Sequence, residues 1–128
     1  MEPIIRAMNI AKSYDDDIAV RGVDFEISSG ECFGLLGPNG AGKSTTINLL
    51  ACQFPLTSGQ LTIGGLAVGK ENRKIRSQLG VVSQSDNLDD ALSVLQNLSV
   101  QGRYYNLDKH TINKRAQELL DLFDLSHV

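Results

Sequence analysis

The chain has 128 residues, 41% of them hydrophobic and 21% charged, the balance of one globular domain and not of a disordered segment. Twelve Lys and Arg against fifteen Asp and Glu leave a formal charge of −3, which argues against a domain that grips nucleic acid by its phosphates. No apolar run approaches the ~18 residues needed to cross a bilayer, and "MEPIIRAMNI" has no apolar stretch after a basic lead, so neither a span nor a signal peptide is expected.

From the N-terminus, "IIRAMNIA" and "VDFEIS" are short, alternating and β-branched, and predict two half-exposed strands. Between them "SYDDDIAV" reads as a solvated turn, and "SSGE" as a second turn. "CFGLLG" is nearly all apolar and predicts a strand buried on both faces of a parallel sheet. "KSTTINLLACQF" carries Ile47, Leu50 and Ala51 at helical spacing. "LTSGQLTIGGLAV" returns to strand and turn, "ENRKIRSQ" to a basic helical turn, and "LGVVSQ" to another buried strand. Ser93 with Gln96 forms a capping box that opens the helix "VLQNLSVQGRYYN". Ile112, Ala116, Leu119, Leu120 and Phe123 then make one apolar helix face that needs a partner. Cys32 and Cys52 form no CxxC pair and are expected to be small buried hydrophobes. His110 and His127 are expected in ordinary surface or structural roles.

Between the third predicted strand and the first predicted helix lies "GPNGAGKS", Gly37 to Ser44, which satisfies G-x-x-x-x-G-K-[ST]. A chance match somewhere in a chain of this length has odds of about half a percent. A polyphosphate needs several N–H donors converging without side chains in the way. Gly37, Gly40 and Gly42 clear that space, Pro38 stiffens the entry, and the amides of Gly40, Ala41, Gly42, Lys43, Ser44 and Thr45 can curl around a β-phosphate, with Asn39 at the rim. The positive end of the helix dipole adds attraction. Lys43 is placed to reach the β- and γ-phosphates, and the Ser44 hydroxyl is a natural Mg²⁺ ligand.

The flanks carry a resemblance. "AKSYDDDIAVRGVDFEISSGECFGLLGPNGAGKSTTINLLA" resembles the opening of the ATP-binding cassette (ABC) transporter ATPases. The resemblance implies an α/β fold, a P-loop NTPase cassette fragment. It would be divided into a mainly β subdomain over about 1–30, a P-loop core with a β insert and Q-loop over about 31–90, and the start of a helical subdomain over about 91–128. It implies ATP and Mg²⁺ as cofactors. Tyr14 matches the aromatic residue that stacks on adenine in that family, with Val20 a second candidate to flank the ring. "LGVVSQSDNLDDALSVLQNL" is similar to the family's Q-loop region, where Gln84 matches the glutamine that helps hold Mg²⁺ and the attacking water. "DNLD" and "GRYY" resemble the branch of drug-resistance and nodulation-factor exporters. The chain departs from that pattern at Ser83, where Pro is common, at Gln96, where Glu is common, and at "ACQF", where relatives usually have a glycine.

The resemblance also implies what these 128 residues do not contain: the LSGGQ signature, the Walker B strand with its following Glu, and the switch histidine. Binding of Mg-ATP without turnover is therefore expected, together with self-association of the chain. In a parent protein the implied partners are a second cassette ATPase and a membrane permease met by the Q-loop region and the following helix. That would place it in the cytoplasm, peripheral on the membrane. Two alternatives stand beside export: a cassette ATPase of the translation or DNA-repair type, and a self-associating module whose loop holds nothing.

Overall fold

The computed structural model describes residues 2–127 apart from Asp86, so the first residue of the "DNLD" word and the last residue of the chain lie outside the described residues. The chain forms two compact units, Met1–Val81 and Val82–Val128.

In the first unit, β1 (Ile5–Tyr14) and β2 (Asp17–Ile27) form an antiparallel hairpin. Its turn is Asp15–Asp16, the first two of the acidic triplet, with Asp15 in the left-handed region at φ 48°. Asp tolerates that conformation better than most residues because its short side chain bonds locally. β3 (Ser58–Ile63) pairs antiparallel with the other edge of β1, and the short β4 (Leu66–Ala67) pairs with β3, for a sheet order β2-β1-β3-β4. α1 (Lys43–Leu50) lies between β2 and β3 in sequence, and α2 (Asn72–Arg76) closes the unit.

A bulge between Ala7 and Ile10, where Asn9 has φ 48°, resets the alternation of β1 and puts both residues in the core with Val20 of β2 and Leu61 of β3. Leu49 of α1 is fully buried against them. Burying a Leu side chain is worth about 2 kcal/mol, so this contact ties the helix to the sheet. A second cluster joins Cys52, Ile63 and Ile75 under α2.

Three expectations are corrected, two strands and the burial of Cys32. "CFGLLG" and "LGVVSQ" are not strands: residues 32–37 and 79–84 form no part of the sheet, and Leu36 and Val82 are 97% and 99% exposed. A parallel strand exists only through hydrogen bonds to distant neighbours, and no described residue supplies that ladder. Phe33 is held instead by its ring, stacked on Phe25 of β2 at 5.4 Å between centroids. Cys32, in the same segment, is exposed, whereas Cys52 is buried as expected.

In the second unit, α3 (Val94–Tyr104) starts with the expected capping box. The Gln96 amide donates to Ser93 Oγ at 3.2 Å, and the Ser93 amide donates to Gln96 Oε1 at 2.8 Å. α4 (Lys109–Leu122) is capped by Asp108, which accepts from the Thr111 amide at 3.0 Å. The apolar face of α4 finds α3: a Cβ on Gly102 would stand 2.6 Å from Ile112 Cγ1, so glycine is what admits this contact. Ile112 and Ala116 are buried, while Leu119 and Phe123 stay exposed.

Candidate nucleotide-binding site

The phosphate-loop sequence becomes a loop that runs into α1. Gly42 is the residue before the helix and has φ 87°. A Cβ there would meet the Ala19 carbonyl oxygen at 2.2 Å, so glycine is required twice, by conformation and by its approach to β2. The loop is thereby pinned to the sheet.

α1 begins unlike α3 and α4. It has no side-chain cap. The first intrahelical amide is that of Thr46, donating to the Gly42 carbonyl at 2.8 Å. Every helix leaves its first amides without an intrahelical acceptor; here these belong to Gly42, Lys43, Ser44 and Thr45. Ser93 and Asp108 fill that need in α3 and α4, and no side chain does so in α1. The donors and the dipole together make an anion site. Gly40, with φ 82°, has nothing within 4 Å of where a Cβ would stand, which leaves the approach to these amides open.

Lys43 is folded over its own loop. Its Nζ donates to the Gly37 carbonyl at 2.5 Å and to the Pro38 carbonyl at 2.7 Å. Two of the three ammonium donors thus shape the loop and place the charge beside it. Asn39, Gly40, Ala41 and Ser44 are exposed, and Thr45 is half-buried. Thr46 Oγ1 donates to the Gly42 carbonyl at 2.9 Å and locks the first turn from inside.

Tyr14 ends β1, 42% exposed. Its ring stands perpendicular to that of Phe54, with centroids 6.1 Å apart. Val20 does not share that position: it is 3% exposed and built into the core, so it supports Gly42 from below and offers no surface to a nucleotide ring. Gln84 is exposed and belongs to the second unit. Around it, Ser83 Oγ donates to the Ser85 carbonyl at 2.9 Å and accepts from Asn87 Nδ2 at 2.5 Å. The serine that stands where proline is common thus braces the glutamine's loop by hydrogen bonds.

Sequence reasoning missed Asn97. Its Nδ2 donates to the carbonyls of Asp89, Leu92 and Ser93, and its Oδ1 accepts from the Asp89 amide at 2.9 Å. It holds the segment after Gln84 onto α3. The signal available was an amide side chain one position past a capping box.

Among the described residues no cluster of His, Cys, Asp and Glu could hold a metal ion. Ser44 fits Mg²⁺ only together with phosphate oxygens, which is how Mg²⁺ prefers to be bound. Among the same residues no helix is long and apolar enough to cross a membrane.

The family model for ABC transporters matches residues 20–128. This chain belongs to the ABC transporter family. Among similar ABC proteins is the linearmycin resistance ATP-binding protein of Bacillus subtilis, 42% identical over 96% of this chain and 40% of that protein. The Nod factor export ATP-binding protein I of Cupriavidus metallidurans is 41% identical over 94% of this chain and 40% of its own length. These relatives agree with the exporter branch that "DNLD" and "GRYY" resemble. The fold is also that of solved ABC cassettes. The dimeric post-hydrolysis structure of the cassette MJ0796 bound to ADP and Pi has a TM-score of 0.81 at 29% identity, over 96% of this chain and 58% of that one. The cbiO1 structure from Clostridium perfringens, part of the ABC transporter complex cbiONQ, has a TM-score of 0.81 at 27% identity, over 99% and 53%. The ABC chain described here thus spans about two fifths of the length of the relatives it matches and is a partial P-loop NTPase cassette.

Proposed function

We propose that this chain binds Mg-ATP. The observation that carries the reading is the start of α1 on a left-handed Gly42, uncapped, with Lys43 bound to its own loop. The amides of Gly40 to Thr45 receive the β-phosphate, Lys43 reaches toward the γ-phosphate, Ser44 supplies an oxygen to Mg²⁺, and Tyr14 stacks on adenine. Bound Mg²⁺ would neutralise phosphate charge. Gln84, on the second unit, is the further residue for Mg²⁺ and water.

In a longer parent, ATP binding closes two cassettes and hydrolysis reopens them, driving export of a solute through a separate permease. The Q-loop region around Gln84 and the following helix α3 face that permease from the cytoplasm. The names of the resistance and export relatives support this, as do the cassette structures solved as a dimer and as part of a transporter complex. In that frame residues 1–30 belong to the β subdomain, 31–90 to the core with its insert, and 91–128 to the helical subdomain. The 128 residues alone hold Mg-ATP without turning it over, since phosphoryl transfer needs an oriented water and charge around the γ-phosphate.

Calorimetric titration tests the reading. Lys43→Ala removes a charged donor worth about 1.5–3 kcal/mol, so Mg-ATP affinity should fall at least about tenfold while the far-UV spectrum stays unchanged. Equal affinity in a folded Lys43→Ala chain contradicts it.

A further inference from the structure

Lys12 lies on β1 opposite Val20 of β2 and is only 8% exposed. Its stem is packed away while the ammonium keeps contact with water, since no buried side-chain nitrogen among the described residues lacks a hydrogen-bond partner. Among the described residues Lys12 makes no ion pair. Its ammonium stands instead over the ring of Tyr14, 4.8 Å from the centroid. Phe54 meets the same ring at right angles. The segment carrying Phe54 is fastened to β1 by Thr57, whose amide donates to the Ala11 carbonyl at 2.9 Å and whose Oγ1 accepts from the Ser13 amide at 3.0 Å. The Lys12 ammonium and a second ring therefore flank the tyrosine, which still keeps 42% of its surface exposed.

Resting on the reading that Tyr14 carries the adenine, we propose that Lys12 is a positioning residue that fixes this ring and sets its preference for a purine base. A cation on one face of an aromatic ring is attracted by the ring's negative quadrupole and draws electron density toward itself. The exposed face becomes poorer in electrons and stacks better on an electron-rich purine. The effect acts on the base and not on the phosphates. Lys12 thus contributes to the choice of nucleotide, while the loop contributes affinity common to all triphosphates.

The test titrates Mg-ATP and Mg-tripolyphosphate into this chain and into its Lys12→Met, Lys12→Arg, Tyr14→Ala and Lys12→Met/Tyr14→Ala variants, with circular dichroism as the check on folding. Lys12→Met should weaken Mg-ATP about 3–10-fold and leave Mg-tripolyphosphate within about twofold. Lys12→Arg, which keeps the cation, should restore ATP affinity. With Tyr14 already replaced by Ala, Lys12→Met should change nothing further, because the pair acts as one unit. Equal loss for both ligands, an effect that persists without Tyr14, or no effect on ATP at all would overturn the proposal. Were Lys12→Met unfolded while Lys12→Arg folds, the cation would serve the fold and the proposal would also be overturned. A Tyr14→Ala chain that binds ATP as well as the unchanged chain would instead sink the stacking reading itself.

Discussion

Cys52 occupies a backbone conformation that suits glycine. It follows α1 with φ 55°, its amide donates to the Leu49 carbonyl at 3.1 Å, and the Gln53 amide donates to the Asn48 carbonyl at 2.9 Å. That pair of bonds is the Schellman ending of a helix, in which glycine is usual at this position. The departure at "ACQF" is thereby located: a side chain is kept at the cost of left-handed strain of about 1–2 kcal/mol. The side chain is used, being 4% exposed in the cluster with Ile63 and Ile75. Burial raises its thiol pKa, with Arg76 nearby pulling the other way, so it is packing and not a reactive thiolate. Ala at this site keeps the strain and loses the sulfur; Gly loses the sulfur and relieves the strain. Urea denaturation should therefore find Cys52→Gly more stable than Cys52→Ala by about 1 kcal/mol, the reverse of the usual order within a helix. An Ala variant as stable as the Gly variant contradicts this. The sequence marked the departure at "ACQF" but not which residue carries the strain, and it did not mark Lys12 at all. Each matters through a φ angle or a ring contact that only the tertiary fold creates.

At the scale of elements, what was legible was local. The β1–β2 hairpin, the turn at 28–31, α1, α2 and the α3 capping box all follow from residues within a few positions of one another. "CFGLLG" and "LGVVSQ" were read as strands from apolarity alone. Apolarity marks a segment fit for burial, but a strand also needs a neighbour, and that information lies elsewhere in a chain. The α4 cap was not picked out in the sequence, yet it carries a pH dependence. Thr111's hydroxyl and amide both donate to Asp108 and hold its carboxyl below the usual carboxylate range. A carboxylate with a depressed folded pKa stabilises above its unfolded pKa, about 3.9, and that stabilisation is lost as pH falls through the folded value. Acid should therefore loosen α4 progressively below about pH 4. Asp108→Asn keeps a good cap but does not titrate, so its ellipticity at 222 nm should fall less steeply with acid. Parallel acid titration curves for the two chains would rule out this source of the pH dependence.

For the whole molecule, the phosphate loop stood out in the sequence because its chemistry is written in consecutive residues, and the same stretch carried the family resemblance. The exposed apolar side chains have a separate consequence. Phe33, Leu36, Val81 and Val82 are exposed and lie outside the sheet, and exposed apolar side chains of this kind recruit other chains. A second copy carries the same exposed apolar segments, so the 128-residue chain should self-associate as its concentration rises. Light scattering should show a mass that rises with concentration. A monomer throughout the micromolar range contradicts this.

The central claim is that the uncapped start of α1 receives a polyphosphate. It is tested most directly by following the backbone amides in nitrogen-15 correlation spectra during titration with Mg-ATP. The account predicts the largest shifts at Gly40, Gly42, Lys43, Ser44 and Thr45, with the capped starts of α3 and α4 unmoved. Saturation with ATP that leaves the Gly40–Thr45 amides in place would contradict it.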